Sequence, residues 1–280
     1  MTATETGGPR RRLRRPSGWH LVLIPTALLM ASPLLWMLVT SLSSLAETRR
    51  FPPQLPASLR WHNFVTAWTG SPFAHWLVNS TIVSGACVIS NVVLCSLAGY
   101  AFARLRFPGR SVAFIAILAT LMVPFQVLMI PTLLIVKHLH LVDTLPALML
   151  PNLVTPFGIY LLRQFFLTLP VELEEAAIVD GAGRWRVLFS ILLPLMGPPL
   201  STVAVLTFLN VWNDFLWPLV VTSSPDTMTV QLGLATFQGA HFTDWPTLMA
   251  GTLLSQLPVL ALFLVGQRFF VSSIASTGIK

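Results

Sequence analysis

The sequence predicts an all-α polytopic membrane protein with six transmembrane helices and cytoplasmic N- and C-termini. Three observations carry this expectation. The first is composition. Of 280 residues, 54% are hydrophobic and 10% charged, with mean hydropathy +0.75; a soluble domain carries about 25% charged residues. The second is a set of apolar stretches near the ~20 residues that a spanning helix needs: His20–Ser41, Trp76–Ala103, Ser111–Lys137, Leu145–Leu167, Leu195–Val221 and Leu248–Val271. The third is loop charge. With the N-terminus inside, the inner set holds Arg10, Arg11, Arg12, Arg14, Arg15, Arg104, Arg106, Arg110, Arg163, Arg184, Arg186, Arg268 and Lys280, against Arg49, Arg50, Arg60 and Lys137 outside. Thirteen against four fixes the expected orientation.

In order along the chain, residues 1–18 read as a polar cytoplasmic tail, 19–273 as the transmembrane domain and 274–280 as a short cytoplasmic tail. The basic run Arg10–Arg15 lies beside the first span, where it suits anionic lipid head groups. Net charge of +7 is thereby a topology signal, and nucleic acid is not an expected partner. The first span is too long for a signal-peptide core and lacks a small-x-small cleavage site after it, so it reads as a retained helix. In the external segment Ser43–His75, Trp61, Phe64 and Trp68 suit a short helix at the membrane interface; a loose loop is the alternative.

The second span is rich in small and hydroxyl residues, among them Ser80, Ser84, Gly85, Ser96 and Gly99, which let helices approach closely. Cys87 and Cys95 lie about 12 Å apart along a straight helix, too far for a disulfide, and read as small buried apolar residues. Pro25, Pro33, Pro124, Pro131, Pro151, Pro156, Pro218 and Pro258 interrupt the spans, which is tolerated where neighbours satisfy the freed carbonyls. In the fifth span, Trp212, Asn213 and Asp214 stand together. Asp214 is the one acid placed within a span, so it is a candidate for the translocation path; a local bond to Asn213 or a backbone amide is the competing role.

The most distinctive stretch is the polar island Glu172–Leu195, ELEEAAIVDGAGRWRVLFSILLPL. Glu172, Glu174, Glu175 and Asp180 precede Gly181 and Gly183, then Arg184 and Arg186, then an apolar run closed by Pro194. The pattern predicts two short amphipathic helices around a glycine turn. Pro170 is expected to open the first, where its missing N–H costs nothing, with the glutamates near the positive end of the helix dipole. Leu173, Ala176, Ala177 and Asp180 recur at helical spacing and predict a small-residue face. Gly181 or Gly183 is expected to end that helix at positive φ. Trp185, Leu188, Phe189 and Leu192 repeat the spacing in the second, which Pro194 stops or kinks.

This island resembles the EAA loop of the membrane permease subunits of bacterial ABC importers. In that pattern Glu-Ala-Ala is followed by three residues, Gly, nine residues and Ile-x-Leu-Pro; here Glu175, Ala176, Ala177, Gly181, Ile191, Leu193 and Pro194 match without a gap. Asn79-Ser80, the segment Ala98–Arg104, Met122-Val123-Pro124 and the Trp-Asn-acid pattern at Trp212–Asp214 resemble the same family. The resemblance runs from the first span to the sixth and is closest to the carbohydrate branch, of maltose and glycerol-3-phosphate type. The tail common in that branch, Gly-Ala-Val-Lys-Gly, is reduced here to Ser276–Lys280.

The resemblance implies a type I importer permease fold in a bacterial inner membrane. It implies a second homologous permease forming a heterodimer, two ATPase subunits that hold the ATP and Mg, and an external substrate-binding protein. The cargo it implies is a sugar, oligosaccharide or polyol phosphate. It implies that Glu175, Ala176, Ala177, Asp180, Gly181, Ile191 and Pro194 form the coupling element that docks on the ATPase, and that Trp212, Asn213 and Asp214 lie near the path. The chain has no GxxxxGK[ST] phosphate loop, so ATP hydrolysis is expected on a separate partner and no cofactor on this chain. No HExxH or CxxC pattern occurs, and His138 and His140 read as a surface pair in an external turn rather than a metal site. An ion-coupled transporter or channel is the alternative class; it would want several intramembrane charges. A membrane enzyme would want an acid or His cluster on facing helices.

Overall fold

The computed structural model describes residues 18–52, 54–239 and 243–277, with side chains described up to Leu264. The expected tails at 1–17 and 278–280 lie outside these residues. The first expected span forms as α1 (His20–Ser41), with Pro25 and Pro33 inside it. Nearly every residue of α1 leaves its apolar side chain uncovered: Leu21 is 82% exposed and Met30 75%. A helix apolar all round and packed by so little protein belongs in lipid or against another membrane chain.

A short α2 (Leu45–Thr48) begins with a capping box. Ser44 accepts from the Glu47 N–H, and the Glu47 carboxylate accepts from the Ser44 N–H at 2.7 Å. The other Glu47 oxygen accepts from the Ala57 N–H; these bonds hold its carboxyl down to about 2. The external aromatic segment forms α3 (His62–Thr69), with Trp61 and Phe64 stacked at 6.1 Å. Asn63 fastens α3 to the end of α1 by donating to the Ser41 and Ser43 carbonyls.

The centre of the bundle is α4 (Phe73–Arg104), the second expected span. The remaining elements are α5 (Arg110–Thr120), α6 (Phe125–His138), α7 (Leu145–Met149), α8 (Pro156–Thr168), α9 (Glu172–Val179), α10 (Arg184–Arg186), α11 (Leu193–Leu195), α12 (Gly197–Trp212), α13 (Leu216–Val221), α14 (Val230–Ala235) and α15 (Trp245–Thr277). α4 packs most extensively on α8 and α12, while α1 and α3 lean on α15. Small residues permit the α4–α8 approach: a Cβ on Gly99 would lie 3.0 Å from the Arg163 backbone nitrogen. Cys87 and Cys95 are both buried and unpaired.

Three of the expected spans are bent or divided rather than single straight helices. α5 and α6 meet at 102°, Leu145–Asn152 meets α8 at 45°, and Arg184–Leu195 meets α12 at 82°. Pro124 accounts for the first break, since the residue before a proline is driven out of the helical region and Pro124 itself is extended at ψ 135°. Thr155 caps the restart at Pro156 by accepting from the Gly158 N–H at 3.2 Å. The fifth expected span, Leu195–Val221, also divides at Asn213–Phe215, between α12 and α13. Among the described residues three helices are long and apolar enough to cross a membrane, or up to six if each bent pair is one span. The expected tail from 274 continues α15 as helix to Thr277.

At one end of the bundle, the loop before α14 is stapled onto α4. Asn79 donates to the Asp226 and Met228 carbonyls, and Ser80 accepts from the Val230 N–H at 2.8 Å. At the other end, one apolar cluster joins Tyr100 and Ala103 of α4, Leu162 and Phe166 of α8, Ala177 of α9, and Val187, Leu188 and Leu192. The polar island is thus packed onto the ends of α4 and α8.

Candidate functional site

The Glu172–Leu195 island folds as two helical pieces around a glycine. α9 starts at Glu172 with Val171 as its N-cap, so Pro170 stands just outside the helix rather than opening it. Three glutamates occupy its first turn, near the partial positive charge of the unpaired N–H groups. The far end is a Schellman motif: Ala182 N–H donates to the Ala177 carbonyl at 2.8 Å, and Gly181 N–H to Ile178 at 3.0 Å. Gly181 makes this closure with φ +81°, the left-handed region where a side chain is strained. Gly183 is ordinary extended backbone at φ −73°.

The expected small-residue face of α9 is divided between core and surface. Ala177 is buried, but Leu173, Ala176 and Asp180 are exposed, and the second buried residue is Glu174. Arg104, at the last turn of α4, explains the rotation. Its Nε lies 2.7 Å from Glu174 Oε1, with the two side chains 10% and 12% exposed. The Nε–H is not aimed at that oxygen, so the contact is an ion pair by distance rather than a linear hydrogen bond. The same guanidinium donates through Nη2 to the Leu169 carbonyl at the end of α8. Burial pushes the Glu174 carboxyl above its usual range, and Arg104 opposes that shift. A cavity of about 270 Å³ beside the pair is also lined by Tyr100, Arg106, Ile178 and Arg184. In the sequence Arg104 stands as a topology charge closing the family-like segment Ala98–Arg104, and Glu174 as a first-turn acid, with nothing to pair them. The available signal was spacing: Glu174 lies three residues before Ala177, on the same helix face.

The second piece does not present one apolar face either. Leu188 and Leu192 turn into the core, whereas Trp185 is 68% and Phe189 51% exposed, their rings stacked at 5.9 Å. Val187–Leu192 is π-helical; the widening precedes Pro194, whose ring crowds the carbonyl four residues back, Ser190. Ile191 packs against the core and Pro194 is exposed. Ile178 and Val179 of α9 are likewise exposed, Val179 by 86%.

Trp212, Asn213 and Asp214 lie at the break between α12 and α13. Trp212 is buried and stacked on Phe208 at 5.2 Å. Asn213 is exposed and donates to the Leu209 carbonyl. Asp214 is half-buried, and its Oδ1 accepts from the Trp217 N–H at 3.3 Å, satisfying a free donor at the start of α13. One turn earlier, Thr207 and Asn210 line a cavity of about 340 Å³ with Leu121, Thr155, Phe157 and Val203. It sits where the α5–α6 break, the start of α8 and α12 meet, and among the described residues no charged side chain lines it. Asp143 is a further residue that the sequence reading passed over. Its carboxylate accepts from the Ser223 and Ser224 N–H groups and the Thr227 hydroxyl, which hold it below the usual carboxylate range.

A helical membrane bundle with broken spans and an apolar-faced Glu-Ala-Ala loop at one end defines the class: the membrane-spanning permease subunit of an ABC importer, a transport component and not an enzyme. The chain belongs to the family of binding-protein-dependent transport system inner membrane components, whose pattern matches residues 92–275. It is 37% identical over 258 residues to the arabinooligosaccharides transport system permease protein AraQ of Halalkalibacterium halodurans, covering 91% of this chain and 92% of that one. It is 35% identical over 272 residues to the sn-glycerol-3-phosphate transport system permease protein UgpE of Yersinia enterocolitica, covering 92% and 95%. The fold matches a chain of a bacterial ABC transporter involved in import of the acidic polysaccharide alginate, with TM-score 0.79 and 23% identity over 89% of this chain and 94% of that one. Family membership implies an ATPase and a binding protein as partners, and an inner-membrane location in a bacterium.

Proposed function

We propose that this permease carries a neutral sugar or oligosaccharide inward, delivered by an external binding protein. In this reading it pairs with a second homologous permease and two ATPase copies. Relatives named for arabino-oligosaccharide and for glycerol-3-phosphate share a hydroxyl-rich cargo. The uncharged lining of the cavity at Thr155, Thr207 and Asn210 favours the neutral sugar over the phosphate ester, because a buried anion needs a paired cation. α1, packed mainly on α15 and with most of its apolar side chains exposed, is available to lipid and to the second permease.

The island Glu172–Leu195 is the coupling element, with Glu175, Ala176, Ala177, Asp180, Gly181, Ile191 and Pro194 as its motif residues and both termini cytoplasmic. The observation that carries this is the exposed set Ile178, Val179, Trp185 and Phe189 on a loop rich in charge. Four large apolar side chains exposed within one short loop outside lipid fit a protein contact. ATP-driven closure of the ATPase pair then moves the loop, and the loop moves the bundle. Trp212, Asn213 and Asp214, at the break that follows the cavity-lining Asn210, respond to that motion.

Two measurements test the reading. Cysteines placed at Ser58 and Ser223 should label with an impermeant reagent in intact cells, and one at Gly183 should not; the reverse pattern overturns the orientation and the coupling role with it. Val179→Asp should reduce the ATPase that co-purifies with the permease, since it puts a charge into an apolar contact. Full ATPase retention in that variant removes the docking surface from the proposal.

A further inference from the structure

We infer that the Arg104–Glu174 ion pair is the link through which displacement of the island reaches the membrane bundle; this rests on the island being the ATPase-docking element. The pair joins three element ends at one point: the last turn of α4, the first turn of α9, and the closing carbonyl of α8 at Leu169. A link that transmits motion must resist both pushing and pulling. Packing of Ala177 against the cluster around Tyr100, Phe166 and Leu188 resists compression, because close-packed interiors do not yield. It gives little resistance to separation, since dispersion contacts fade within an ångström. The ion pair supplies the missing resistance to pulling: separating two mostly buried opposite charges leaves each without its partner. The far end of the link is braced, because α4 runs for 32 residues and packs along α8 and α12. Arg106 and Arg184 also line the cavity beside the pair, while Arg104 is the partner that opposes the burial of Glu174. Arg104 and Glu174 are positioning residues: neither touches cargo nor nucleotide.

The test reconstitutes the full importer with Glu174→Gln, Arg104→Gln and Arg104→Lys, beside Val179→Asp on the docking surface. ATPase retained per permease, ATP hydrolysed and sugar taken up are measured on each. Glu174→Gln and Arg104→Gln should keep the ATPase bound and hydrolysing while uptake per ATP falls about tenfold, the scale of a typical coupling between sites. Arg104→Lys, which keeps the charge, should recover much of that ratio. Unchanged uptake per ATP in Glu174→Gln overturns the link, as do equal ratios for Arg104→Lys and Arg104→Gln, or loss of the ATPase from Glu174→Gln. Should Arg104→Gln fail to assemble, Glu174→Gln, which keeps the side-chain shape, decides the matter by itself. If Val179→Asp retains the ATPase, the docking reading falls and the link falls with it. If Val179→Asp loses it while Glu174→Gln transports normally per ATP, the link alone is wrong.

Discussion

Asn91 Oδ1 accepts a hydrogen bond from Thr155 Oγ1 at 2.8 Å, joining the middle of α4 to the helix break before α8. The amide nitrogen of Asn91 donates to the Cys87 and Asn152 carbonyls at 2.9 and 2.7 Å. Asn91 is fully buried, yet its amide is satisfied on both sides. Breaks in membrane helices free backbone groups that lipid cannot satisfy, and here a side chain from a neighbouring helix does so.

Asn91→Ala should therefore lower stability by about 1–3 kcal/mol, the cost of leaving buried donors and acceptors without partners. The check is the thermal unfolding midpoint of the detergent-solubilised chain. An unchanged midpoint would mean that water replaces the amide.

Gly181→Val should strain the Schellman closure by about 1–2 kcal/mol, because a β-branched residue is disfavoured at positive φ. No neighbouring atom lies within 4 Å of a Cβ there, so the effect is conformational and not a clash. Ala177→Leu acts differently: it overpacks a buried site by about 1–3 kcal/mol. Both variants should insert normally, with less co-purified ATPase or less uptake per ATP. Wild-type values in both would argue against docking through this loop.

Asp214 offers a clean separation of two roles. Asparagine accepts a backbone N–H at a helix start about as well as aspartate, whereas alanine does not. If the residue acts only through its bond to the Trp217 N–H, Asp214→Asn should transport like wild type and Asp214→Ala should lose about 0.5–2 kcal/mol of stability. If its charge serves the path, Asp214→Asn should lower uptake with assembly intact. Proteoliposome uptake for the two variants distinguishes these outcomes.

The Asp143 carboxylate, with three donors converging on it, has a folded pKa below its unfolded value of about 3.9. Its contribution is present above the unfolded value and is lost as pH falls from there towards the depressed folded value. Asp143→Asn should thus be less stable than wild type near neutrality, and the difference should shrink below about pH 4. Unfolding midpoints of the two proteins at neutral and acid pH measure it. A pH-independent difference would assign the effect to shape and not charge.

Local chemistry was legible in the residues themselves. The end of α9 at Gly181, the short α3 around Phe64 and the continuous α4 all depend on neighbours within a turn or two, so composition and spacing suffice to predict them. The breaks were only half legible. Pro124 and Pro156 stand at them, but Pro25, Pro33, Pro131 and Pro258 lie inside continuous helices, since whether a proline breaks a helix depends on which neighbours satisfy the freed carbonyls. Tertiary structure alone decided which face of α9 turns inward. Spacing predicted a small-residue face, of which Ala177 turns inward; Arg104, 70 residues earlier in the chain than Glu174, draws an acid in beside it. That choice rests on the balance between desolvating a carboxylate and pairing it. Such a balance is set by groups distant in sequence, and no pattern within the island contains it.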